Sequence, residues 1–113
     1  YLLNAFSLNM LPRDVSALIK VKELRPDEWC EKVKSSEFVN AIGHAATAEL
    51  VNEMTGLEIK PNRIDVKLER GDSAFVVQVG FRLQEGQILG RDEITELYRG
   101  GKLRFFEVHI IEV

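Results

Sequence analysis

A chain of 113 residues has room for one hydrophobic core, and 45% hydrophobic with 29% charged residues is an ordinary globular balance. A formal charge of −3 weighs against bulk duplex DNA as a partner, because phosphate binding draws on clustered Lys and Arg. No apolar run reaches membrane-span length and no basic-then-apolar signal segment opens the chain. A single cysteine, Cys30, excludes an internal disulfide or a thiolate cluster. One cytoplasmic domain with no membrane partner is the expectation.

In chain order, the apolar opening Tyr1-Leu2-Leu3-Asn4-Ala5-Phe6 reads as a buried strand. Pro12 and Arg13-Asp14 punctuate it, and residues 15–24 form a second strand with β-branched content. Pro26 suits the first position of a short helix, with Asp27 and Glu28 where the helix dipole favours them. A longer helix is predicted over residues 36–54, capped by Ser35 or Ser36 and stopped at Gly56. Two alternating segments, 63–69 and 73–80, read as a hairpin turned at Arg70-Gly71-Asp72. Residues 82–89 form a polar loop, 92–99 a helix ended by Gly100-Gly101, and 103–113 a closing strand. The order implies an α/β fold: a single domain with one mixed sheet of about five strands, flanked by helices.

Little chemistry is written in short motifs. There is no His-Glu-x-x-His, no Cys-x-x-Cys and no calcium loop, so no metal site and no cofactor are expected. Cys30, after Trp29, reads as a small buried hydrophobe, and His109 as a strand residue at the sheet surface. Arg-Gly-Asp in a turn reads as chance.

His44 stands apart. On a helix over 36–54, Ser36, Asn40, Gly43, His44 and Thr47 share a stripe of small and polar residues. Such a stripe is either a solvated face or a place where something approaches the backbone at Gly43. Arg82 and Glu85 put a guanidinium and a carboxylate just after a strand bearing Gln78. This set can grip a phosphate, or equally form an exposed ion pair. Asn4, Ser7 and Asn9 offer uncharged hydrogen-bonding groups, or plain turn chemistry.

Several of these stretches together resemble one family. The opening Tyr1 to Met10 is similar to it, as are Ile42-Gly43-His44 with Thr47, and Arg63-Ile64-Asp65-Val66-Lys67-Leu68-Glu69. So are Val76-Val77-Gln78, Arg82-Leu83-Gln84-Glu85-Gly86-Gln87-Ile88-Leu89 and Phe105-Phe106-Glu107, in the same order. The family is the type III anti-CRISPR ring nuclease of archaeal viruses, with relatives in bacteria and mobile elements. The resemblance implies a homodimer that encloses cyclic tetra-adenylate at its interface and cleaves it without metal. The ribose 2′-hydroxyl attacks its own 3′-phosphodiester, giving linear di-adenylate with a 2′,3′-cyclic phosphate that can open to a 3′-phosphate. It also implies His44 as the acid for the departing 5′-oxygen, Glu85 as the active-site glutamate and Arg82 as the arginine on the scissile phosphate. Asn4, Ser7, Asn9 and Gln78 match ligand-binding positions. Gln84 stands where a relative carries a second acid, which leaves that role to Glu85.

The residues agree with this chemistry. Intramolecular attack needs no external nucleophile, only alignment, an acid for the leaving group and a cation for the growing charge. A two-fold dimer suits a ring with its own rotational symmetry. The alternatives are a non-catalytic sponge for cyclic oligoadenylate, or a nucleic-acid- or protein-binding dimer of the same fold.

Overall fold

The computed structural model describes residues 1–79 and 90–113. The elements are β1 (Leu2–Leu3), a 3₁₀ turn (Leu8–Met10), β2 (Leu18–Leu24), α1 (Pro26–Lys34), α2 (Ala45–Thr55), β3 (Ser73–Val79), α3 (Arg91–Arg99) and β4 (Leu103–Glu112). The strands form one mixed sheet in the order β1-β3-β4-β2, with β1 parallel to β3 and the other pairs antiparallel. The α/β class holds, with four strands among the described residues where about five are expected.

The missing strand is residues 63–69. The alternation holds only in part: Val66 and Leu68 are buried, but Ile64, expected on their face, is exposed along with Arg63, Asp65, Lys67 and Glu69. The pairing does not form. β3 is already flanked by β1 and β4, so no edge is left for a hairpin partner. The segment instead lies over the sheet, tied by Leu68 N–H to the Met10 carbonyl (2.7 Å). Gly71 turns at φ 88°, and Asp72 Oδ2 accepts the Glu69 N–H (2.8 Å), so Arg-Gly-Asp is the turn from this cover into β3.

The two sheet faces are covered differently. On one, Leu2, Phe75, Val77, Leu103 and Phe105 pack against the helices through Trp29, Val33, Leu50, Val51 and Ile94. Trp29 and Phe105 meet edge-on at 5.3 Å. On the other, Leu3, Ala74, Val76, Val108 and Ile110 are covered by Val66 and Leu68 and flanked by Met10 of the 3₁₀ turn, with no α-helix among the described residues.

The predicted helix over 36–54 begins nine residues late. Ser35 and Ser36 end α1 instead: both hydroxyls donate to the Lys32 carbonyl, at 3.2 and 2.6 Å. Residues 39–41 are extended because β1 needs a partner on its outer edge. Leu2 N–H donates to the Val39 carbonyl (2.9 Å) and Ala41 N–H to the Leu2 carbonyl (2.8 Å). α2 then runs to Thr55 and stops at Gly56, which takes the left-handed conformation at φ 78°.

Candidate functional site

The late start of α2 changes what His44 is. It sits at the N-cap with extended backbone (φ −96°, ψ 117°), not on a mid-helix stripe, so the expected alignment of Ser36, Asn40, Gly43 and His44 does not form. Its Nδ1 lies 2.7 Å from Thr47 Oγ1 on the first turn, and Nε2 has no hydrogen-bond partner among the described residues. The ring is half-buried and Thr47 is buried.

An N-cap histidine that makes no side-chain cap leaves the helix terminus open. The first helical bond is Ala48 N–H to the His44 carbonyl (3.0 Å). Ahead of it, the N–H groups of Ala45, Ala46 and Thr47 meet no acceptor among the described residues. Such an end attracts anions through its amides and its dipole.

Arg63 supplies a cation at the same place. Its side chain lies across Gly43, where an added Cβ would overlap the Arg63 Cγ, and its Nε donates to the Gly43 carbonyl at 3.4 Å. Nearby backbone fixes this approach: Asn62 N–H donates to the Ile42 carbonyl (2.7 Å), and Asn62 Nδ2 to the Asn40 carbonyl (2.8 Å). Among the described residues no carboxylate is within ion-pair distance of Arg63. The space at Gly43 visible in the sequence is thus filled by this side chain. Sequence reasoning missed Arg63 as a site residue. Gly43 signalled a close approach but not by what, and the helical reading turned the glycine the wrong way.

Asn4 reaches the same loop, its Oδ1 accepting the Gly43 N–H at 3.2 Å. Ser7 and Asn9 belong to the 3₁₀ turn: Ser7 Oγ accepts the Asn9 N–H (3.2 Å), and the Asn9 carbonyl accepts from Lys67 Nζ (3.3 Å). Nothing among the described contacts joins these two to His44. Gln78, on the helix-free face near the end of β3, lines a cleft of about 170 Å³ with Phe6, Val21, Val76, Phe106 and Val108. Arg104 lies 4.9 Å over the Phe106 ring and forks onto Glu23 through two 2.9 Å bonds. The cleft therefore has apolar walls and one amide. Arg82, Glu85 and the polar loop 82–89 lie outside the described residues.

The other chemistry-bearing side chains are engaged elsewhere. Cys30 is 8% exposed, and burial pushes its thiol pKa up, away from nucleophilic use. His109 Nδ1 lies 2.8 Å from Ser73 Oγ, and its Nε2 3.4 Å from Glu107 Oε1. Burial works against the charged form of Glu107, but the hydrogen bonds from Lys32 (3.1 Å) and His109 outweigh it and hold the carboxyl below its ordinary value.

Comparison with known proteins finds one family of viral proteins. A family model described as STIV B116-like matches residues 1–103. An uncharacterized protein, ORF116, of Acidianus filamentous virus 1 is 39% identical over the whole chain and 97% of its own length. Protein 26 of Sulfolobus islandicus filamentous virus, also uncharacterized, is 33% identical over 96% of this chain and 90% of its own length. Among solved structures, B116 of Sulfolobus turreted icosahedral virus superposes with a TM-score of 0.74 at 38% identity, covering 96% of each chain.

Proposed function

The chain belongs to the STIV B116-like family, and with that membership as premise we propose that it is a ring nuclease acting without metal on cyclic tetra-adenylate. It works as a homodimer and yields linear di-adenylate, which switches off type III CRISPR signalling. One observation carries the reading: an imidazole with Nδ1 held and Nε2 open, at an uncapped helix N-terminus beside an arginine. Phosphodiester cleavage calls for an acid for the leaving oxygen and for groups that hold the phosphate, and these residues can supply both.

The chemistry follows from them. The open amides of α2 and the Arg63 guanidinium, with the Arg82 that the family resemblance assigns to the scissile phosphate, hold one phosphate. The neighbouring ribose 2′-oxygen attacks phosphorus, its proton passing to solvent or to the carboxylate that Glu85 brings by family resemblance. A bond forms between the 2′-oxygen and phosphorus, and the bond from phosphorus to the next 5′-oxygen breaks. His44, as imidazolium, gives its Nε2 proton to that oxygen, leaving a 2′,3′-cyclic phosphate and a 5′-hydroxyl. Water then opens the cyclic phosphate to a 3′-phosphate. Two copies acting on opposite phosphates turn one four-membered ring into two di-adenylates. The cleft at Gln78 suits adenine, with apolar walls for its faces and an amide for its edge.

The test is incubation with cyclic tetra-adenylate in excess EDTA, with products separated by chromatography and weighed by mass spectrometry. The wild type makes di-adenylate, and His44→Ala is slower by about 10²–10⁴-fold, the usual worth of general acid catalysis. An intact ring retained by the wild type would make the protein a sponge, and an intact ring without binding would sink both readings. Gel filtration with light scattering reads the dimer.

A further inference from the structure

The described helices contain three threonines, and two behave as helical threonines ordinarily do. Thr55 Oγ1 donates to the Val51 carbonyl (2.6 Å) and Thr95 Oγ1 to the Arg91 carbonyl (2.9 Å), each four residues back. Thr47 does not. Four residues before it is Gly43, outside the helix, whose carbonyl accepts from Arg63 Nε instead. The Thr47 hydroxyl turns to His44 Nδ1 at 2.7 Å. It is the described contact that fixes the imidazole, and it comes from a 6% exposed, β-branched side chain with few rotamers. Its helix is seated in the core through Ala46, Ala48, Leu50 and Val51.

We infer that Thr47 is the positioning residue for His44, an inference that rests on the ring-nuclease reading and deepens it. In the acid form both ring nitrogens carry protons, so Nδ1–H must donate and Thr47 Oγ1 must accept. That bond occupies Nδ1 and leaves Nε2 without a described partner, at the helix end where Arg63 meets the Gly43 carbonyl. When the Nε2 proton has left with the 5′-oxygen, the ring remains as the Nδ1–H tautomer with its bond to Thr47 unchanged. The first half of the reaction therefore needs no ring flip.

Two variants separate hydroxyl from shape: Thr47→Val keeps the branched outline without the hydroxyl, and Thr47→Ser keeps the hydroxyl without the methyl. On the ligand-free protein, nitrogen-15 long-range NMR reads the neutral His44 tautomer. The Thr47 hydroxyl can accept from Nδ1–H or donate to a bare Nδ1, so the tautomer balance of wild type is kept in Thr47→Ser and shifts in Thr47→Val. With cyclic tetra-adenylate, Thr47→Val lowers the single-turnover rate by about tenfold, the scale of one lost hydrogen bond, while Kd stays within about twofold. Thr47→Ser stays near the wild-type rate. A Thr47→Val protein with wild-type tautomer and rate overturns the inference, as does a folded Thr47→Ser protein as slow as Thr47→Val. A wild type that leaves the ring uncut overturns the nuclease reading alone, and the tautomer comparison still decides whether Thr47 sets the imidazole.

Discussion

The two histidines begin alike and end differently. Each turns Nδ1 to a hydroxyl, His44 to Thr47 at 2.7 Å and His109 to Ser73 at 2.8 Å. They part at the other nitrogen. His109 Nε2 faces Glu107, which Lys32 also holds, so every polar group in that cluster has a partner within the fold. His44 Nε2 faces no described partner and stands where a helix leaves its amides open. A histidine tied at both nitrogens contributes to structure. One tied at a single nitrogen is oriented and still has a proton to give.

The largest break in this comparison comes from truncating each ring. His44→Ala slows ring cutting by about 10²–10⁴-fold with binding retained, because an acid is lost and the phosphate grip is not. His109→Ala leaves the single-turnover rate within about twofold of wild type, since its ring is spent on the fold. Equal losses of rate in the two variants would erase the distinction.

Arg63 tests what surrounds the open nitrogen. Arg63→Met keeps the aliphatic stem and removes the charge, and kcat/KM falls by about 10–100-fold, the range for a hydrogen bond to a charged group. Gly43→Ala reaches the same cation by another route, since its Cβ displaces the Arg63 stem. A loss of about tenfold is expected. Gly43→Ala added to Arg63→Met costs little more, because both act on one contact. Additive losses would mean that Gly43 serves something other than Arg63.

How far the sequence reached is clearest at these same residues. Pro26, Gly56 and Gly100-Gly101 set helix ends by local chemistry, and the helices obey them. The alternation over 63–69 correctly marked Val66 and Leu68 as buried, but burial is local and strand pairing is not. Only the sheet order, with β3 already flanked, shows that no partner edge remains. His44 and Asn4 were visible as residue types, and the fold brings Asn4 onto the His44 loop. Arg63 and the open end of α2 were not, because both depend on residues 39–41 pairing with β1 across nearly forty positions of chain.

The smallest effect belongs to the closed cluster and appears in acid. Glu107 carries its charge against the cost of burial because Lys32 and His109 donate to it, and Lys22 is its register neighbour on β2. Its folded pKa lies below the unfolded one, so the stabilisation is complete above the unfolded value. It is lost as pH falls from the ordinary carboxylate range through the folded pKa. Thermal melts should therefore show a wild-type midpoint that drops on acidification through that range. Glu107→Gln starts several degrees lower at neutral pH, from a loss on the order of 1 kcal/mol, and shows a shallower decline. His109→Ala removes one of the two donors and gives an intermediate slope. His44→Ala should leave the slope unchanged, since the described structure brings no carboxylate to its open nitrogen. A His44→Ala melt that tracks His109→Ala would show both rings engaged in the fold, and the contrast between them would be gone.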